Sequence, residues 1–134
     1  MVHSVDRAAL ISPLNAAAEA AGRSLSVCLQ VNLDESGSTG RGGADPGEIP
    51  ALADLVAGSG SLTLAGVMAV APLGKPARPA FSRLRELSVH LRRNHPLAAV
   101  ISAGMSGDLE EAVAEGATHL RVGSALLGAR ARKP

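Results

Sequence analysis

The sequence predicts an α/β fold of parallel strands joined by crossover helices. Three observations carry this. Short, continuously apolar runs recur along the 134 residues and are bounded by loop residues. Strands buried on both faces of a parallel sheet read in this way. Amphipathic or Ala/Leu-rich stretches alternate with the runs, as βαβ units require. Finally, Phe81 is the sole aromatic among 46% apolar residues, so the core is built of small branched side chains, which suits tightly packed βα units.

In chain order, Val2 to Ser4 reads as the end of a strand, and Ser4 or Asp6 can cap the first helix. Residues 7 to 21 form that helix, which stops at Gly22. "LSVCLQVN", 25 to 32, is a buried strand. The polar, Gly-rich segment 33 to 45 is a loop. Asp45, Pro46 and Glu48 sign a helix start with a capping-box spacing, and that helix ends near Gly58 to Gly60. "SLTLAGVMAV", 61 to 70, is the next strand. Residues 71 to 79 hold three prolines and are expected to be irregular. From Ala80 to Asn94, Phe81, Leu84, Leu87 and Leu91 fall on one helix face. Arg83, Arg85, Arg92 and Arg93 fall largely elsewhere and read as a solvated face. "LAAVIS", 97 to 102, is a strand, 106 to 115 a helix stopped by Gly116, "THLRVG", 118 to 123, a last strand, and a short helix starts at Ser124.

Five βα units in one domain spanning 1–134 correspond to roughly five-eighths of a (β/α)8 barrel of about 250 residues. The alternative is an open doubly wound sheet, complete at five strands. The abrupt start favours the partial barrel lacking its N-terminal strands. Its exposed sheet edges invite self-association.

Composition narrows function. Lys and Arg total 13 against 12 Asp and Glu, so no basic excess points to nucleic acid. No apolar run approaches the about 20 residues of a membrane span, and "MVHSVDRAAL" lacks a signal-peptide layout. A cytoplasmic protein is expected. Cys28 is alone, so no internal disulfide forms, and its apolar run makes it a buried, inert thiol. His90, His95 and His119 show no metal spacing with it, so no metal site is expected.

The chemistry concentrates in two turns. In "SAGMSGD", 102 to 108, a strand ends in small residues where a helix must begin. Gly104, Met105 and Ser106 offer backbone N–H groups and a hydroxyl suited to a phosphate; by itself Ser106 could equally be an N-cap alone. Gly123 and Ser124 repeat the arrangement. In barrels, phosphate sites recur at the loops after the last two strands, so the pair reads as a phosphate cradle. Arg121 is costly in an apolar strand unless paired or bound to ligand. Alternation puts it on the face of Gly123. Asn32, at a strand end, faces the same mouth or caps its turn. His3 could line the site, although a lone His is usually structural or solvated.

"HSVDR", "LQVN", "GVMAVAP" and "SAGMSGDLEEAVAEGATHLRVGSALLGAR" resemble, in this order, the pyridoxal phosphate homeostasis family, alanine-racemase-like single-domain barrels, over nearly the whole chain. The resemblance implies a pyridoxal 5′-phosphate (PLP) barrel serving intracellular cofactor homeostasis without established robust catalysis. Carried over by position, Ser106, Gly123 and Ser124 would bind phosphate. Arg121 would face the pyridine nitrogen, and Ser102, Met105, Met68 and Asn32 would line the pocket beside Gly104. No catalytic residue is implied. Guanidinium only donates, so the ring nitrogen would stay unprotonated and the ring a poor electron sink. The family's cofactor-linking lysine lies on the first strand in an "AVSK"-like motif. Here the only lysines are Lys75, in the proline-rich loop, and Lys133 near the C-terminus. The chain therefore reads as strand four onward, able to hold PLP non-covalently at best. Leu126 and Leu127 stand where the family usually has an aromatic. The alternatives are a fragment of an alanine-racemase-like PLP enzyme, which would need a lysine base and usually a tyrosine absent here, or a cofactor-free remnant pairing with another chain.

Overall fold

The computed structural model describes residues 1–34 and 42–128. Among them, four parallel strands lie side by side in chain order: β1 (Val2–Val5), β2 (Leu25–Val31), β3 (Leu62–Ala69) and β4 (Val100–Ser102). A doubly wound sheet reverses its strand order at a switch point. This sheet does not reverse, so its order is that of consecutive units of a barrel, and the open-sheet alternative is set aside.

Helices α1 (Ala8–Ala20), α2 (Ile49–Ala57) and α3 (Ala77–Asn94) connect the strands, α4 (Leu109–Ala114) follows β4, and a short α5 (Ser124–Leu127) is the last described helix. They share one core with the sheet. Val27, Leu29 and Val31 of β2 and Leu64, Val67 and Ala69 of β3 meet Ile11, Val56, Phe81, Leu84 and Ala112 of the helices there. The alternate residues Cys28, Ala65 and Met68 form a second, smaller cluster with Val70 and Val100. The period of two along β2 thus separates a helix-facing side from a barrel-facing side, and β3 keeps the two sides across a one-residue irregularity at Gly66. Cys28 is fully buried, as its apolar run predicts, and burial pushes its thiol up to about 11.

Several boundaries differ from the sequence expectation. The first helix is flanked by Arg7, with no side-chain cap from Ser4 or Asp6; Asp6 instead accepts from Arg7 at 2.7 Å. Helix α3 begins at Ala77, so Pro79 is helical. A proline in the first turn is compatible with the helix because that N–H has no intrahelical partner anyway. A short 3-10 turn, Pro46–Glu48, precedes α2, and the Asp45 amide donates to the Glu48 carboxylate at 3.1 Å, as the capping-box spacing predicts. The loop 33 to 45 is described only at its ends; residues 35–41 lie outside the described residues. Strand β4 is confined to three residues, with Leu97 exposed before it. The expected strand 118 to 123 is reduced to a bridge between His119 and Ser102. Its backbone still runs beside β4: His119 N donates to Ile101 O, and Ala103 N to His119 O. The ladder then lapses because the partner chain turns at Gly104, whose φ is +90°.

Gly66 explains how β4 can dock at all. Its φ is +153°, and a Cβ there would collide with the Val100 backbone. The glycine lets the two strands approach at a register irregularity in the β2–β3 pairing.

Candidate functional site

The two turns singled out by the sequence meet. After β4, Ala103 leads into Gly104, whose carbonyl accepts from Arg121 N at 2.9 Å. A Cβ at Gly104 would sit 2.7 Å from the Ala112 Cβ and 2.8 Å from Leu120 Cδ2, so only glycine lets this turn lie against α4 and the Arg121 segment. Met105 N donates to Asp108 Oδ1 at 2.7 Å and closes the turn. Asp108, not Ser106, flanks the six-residue helix α4, which starts at Leu109 rather than at 106. Ser106 is therefore not the N-cap of its own helix. Its hydroxyl turns to the other loop, where Ser124 Oγ donates to it at 3.2 Å and Ala125 N at 3.2 Å. Open space lies where a Cβ would be at Gly107 and Gly123.

Arg121 forms the second part of the site. Its Nη1 donates to Ser102 Oγ at 2.8 Å and its Nη2 to Ala69 O, at the end of β3, at 2.9 Å. No carboxylate pairs with it among the ion pairs of the described residues. Burial draws the guanidinium below its ordinary value, while the Asp108 and Cys28 charges act the other way. It stays a cation, since arginine does not deprotonate in proteins, and two of its five N–H donors meet neutral acceptors. Ser102 is fully buried and also contacts His3 Nδ1 at 2.8 Å. His3 stands edge-on to His119, with ring centroids 6.0 Å apart.

Of the expected site residues, Ser102, Gly104, Met105, Ser106, Arg121, Gly123 and Ser124 lie on these two joined turns and the strand end beneath them. Met68 sits beside Ser102 as its register partner. Asn32 stands apart. Its Oδ1 accepts from Asp34 N at 2.9 Å, so it caps its own turn. It lines a different hollow of about 780 Å³ between the end of β2 and α3, with Asp45, Arg83 and His90. On the arginine face of α3, Arg85, Arg92 and Arg93 are exposed as expected, while Arg83 donates to Leu33 O at 3.0 Å and Arg85 stands 3.5 Å from the buried Glu115, which Arg78 bonds at 2.9 Å. These contacts tie α3 to its neighbours.

Sequence reasoning left His3 without a partner and gave no acceptors for Arg121. The signal for His3 was present: in "VHSV" it alternates with the apolar Val2 and so belongs on the barrel-facing side. No group of His, Cys, Asp and Glu suited to a metal occurs among the described residues. No described helix is long and apolar enough to cross a membrane.

A parallel, sequentially ordered βα fold with a polar cluster where two strand-to-helix turns converge defines a barrel-type class of protein, in which such turns are the usual place of a ligand. The chain belongs to the family of the alanine racemase N-terminal domain, whose pattern it matches over residues 1–131. It is 44% identical over 132 residues to the pyridoxal phosphate homeostasis protein of Pseudomonas aeruginosa, covering 96% of this chain and 55% of that protein. To the protein of the same name from Mycobacterium tuberculosis it is 43% identical over 137 residues, covering 96% and 52%. The chain thus spans about half the length of these relatives. Among solved structures it resembles PipY of Synechococcus elongatus with PLP bound, with a TM-score of 0.84 and 36% identity over 94% of this chain and 59% of that one. The PLP-free PipY structure gives a TM-score of 0.86 at the same identity, covering 94% and 60%. D-threonine aldolase from Filomicrobium marinum, at 21% identity and a TM-score of 0.72, shares the fold.

Proposed function

We propose that this chain is a PLP-binding protein of intracellular cofactor homeostasis, with Ser106, Ser124 and the Gly123 turn taking the phosphate and Arg121 facing the ring nitrogen. The observation that carries the reading is the Arg121 guanidinium. It is half-buried, held by Ser102 and Ala69 O, free of any carboxylate among the described ion pairs, and tied through its own backbone to the turn that bears Ser106. A desolvated cation with unused N–H donors suits an anionic or acceptor-bearing ligand. The hydroxyls of Ser106 and Ser124, already in contact, add donors that a phosphate can recruit. The names of the curated relatives and the PLP-bound PipY neighbour supply the ligand that suits such a set.

Bound PLP supplies a reactive aldehyde and an electron-withdrawing ring. The chain's own residues bind and orient rather than drive chemistry. Arg121 can only donate, so it favours an unprotonated ring nitrogen and weakens the ring as an electron sink. Lys75 is exposed and pairs with Asp34 at 3.4 Å, and Lys133 lies outside the described residues. Tyrosine is absent from the sequence. In this reading Arg121 and the serine hydroxyls hold the cofactor non-covalently, and the role is one of carrying the cofactor, not of turning over substrate. Cytoplasmic residence accords with the same role. Borohydride treatment of the PLP-loaded chain and subsequent mass spectrometry tests the non-covalent part. No reduced adduct is expected at Lys75 or Lys133; a stoichiometric adduct at either contradicts it.

A further inference from the structure

The hydrogen-bond arithmetic around Ser102 fixes more than the position of Arg121. Ser102 Oγ lies 2.8 Å from Arg121 Nη1 and 2.8 Å from His3 Nδ1, and the residue is fully buried. Arginine has no acceptor, so it must be the donor in the first bond. A serine hydroxyl has one hydrogen to give. If His3 Nδ1 also carried a proton, that hydrogen would be left without either of these partners in a buried place, at a cost. The consistent arrangement runs in one direction: Arg121 donates to Ser102, and Ser102 donates to His3 Nδ1. This requires a neutral His3 with its proton on Nε2.

We propose that His3 is a positioning residue for the ligand site: as the Nε2–H tautomer it orients the Ser102 hydroxyl so that its lone pairs face Arg121, and so sets the guanidinium toward the ligand. This rests on Arg121 contacting the PLP ring. The relay joins three strands: His3 of β1 meets Ser102 of β4, and the guanidinium links Ser102 to Ala69 of β3. Its surroundings hold His3 neutral. Desolvation lowers its pKa first, and His119, Arg121 and the Met1 amino group lower it further. The one titratable group of the neighbouring β2 is the Cys28 thiol, protonated near neutral pH. Strands β3 and β4 carry no titratable side chain, and Asp6, on the far end of its own segment, is paired with Arg7. Protonating His3 would put a proton on Nδ1, reverse the Ser102 bond and set a second cation beside Arg121.

Two measurements on the full chain test this. In the ligand-free protein at pH 7.5, nitrogen-15 NMR of the His3 imidazole should report a bare Nδ1 and a protonated Nε2. A protonated Nδ1, or averaging over both tautomers, overturns the relay. In titrations, His3→Leu should weaken PLP binding about fivefold, the worth of one hydrogen bond, with inorganic phosphate affinity unchanged. His3→Asn, whose side-chain carbonyl reaches the place of Nδ1, should restore it. Equal loss for PLP and phosphate, or no loss, contradicts the positioning role. If the unaltered chain fails to bind PLP at all, the proposed function falls, and the tautomer of ligand-free His3 still decides the relay.

Discussion

At Ser106, the bland alternative of an N-cap and the sharper one of a ligand group make different demands on one hydroxyl. The hydroxyl faces α5 and Ser124 rather than the helix that comes after it. Ser106→Ala should therefore weaken inorganic phosphate binding by about 1 to 2 kcal/mol, the worth of a hydrogen bond to a charged group, measured by calorimetry; unchanged affinity contradicts the role. Arg121→Gln should weaken PLP retention while sparing phosphate affinity. Cys28 gives a prediction of a different kind. Its thiol is raised to about 11 by burial. Between its ordinary value and that figure the unfolded chain releases the proton and the folded chain keeps it. Stability then falls as pH climbs through this window, by up to about 1.4 kcal/mol per pH unit, and denaturant titrations at pH 8 and 10.5 should show the drop. Cys28→Ala should remove the pH dependence. For His3 the sign is opposite. Its folded value is lowered, so the unfolded chain takes up a proton first and stability declines as pH falls below about 6.5.

At the scale of elements, two glycines decide where strands and turns can meet. Gly104, at φ +90°, packs against Ala112 and Leu120 with no room for a methyl group. Gly104→Ala combines a left-handed backbone with a clash, each costing of order 1 to 3 kcal/mol. It should lower the melting temperature and detach the Ser106 turn from Arg121, which a loss of phosphate affinity at temperatures below melting would report. Much of this level was legible in the sequence. The apolar runs marked β2 and β3, the 3.6 period marked the buried Phe81, Leu84 and Leu91 of α3, and Asp45, Pro46 and Glu48 marked the start leading into α2. The misjudged places share a physical cause. Pro79 looked like a breaker but fits a first helical turn. The "THLRVG" run has strand composition, yet its partner backbone bends away at Gly104, and no local pattern records what a neighbour does. At Asn32 the sequence left a mouth position and a turn cap both open, and the bond from Asp34 N is the cap.

Across the whole molecule, the order of strands separates a barrel-type arrangement from a doubly wound sheet, and only coordinates supply that order; composition fits both. The convergence of the two turns was legible because each carries the same small-residue grammar and barrels place such turns side by side. The acceptors of Arg121 were not legible, since Ala69 offers only its backbone carbonyl and Ser102 lies 19 residues away. The consequence is a candidate site whose cation is anchored by neutral groups from β3 and β4 and which joins elements far apart in the chain. The most direct test is calorimetric titration of the purified chain with PLP, with pyridoxal and phosphate as separate ligands, alongside Ser106→Ala and Arg121→Gln. The account predicts that PLP binds more tightly than either part and that both substitutions weaken it. Equal affinity of all three proteins for PLP would contradict the placement of the ligand at these two turns.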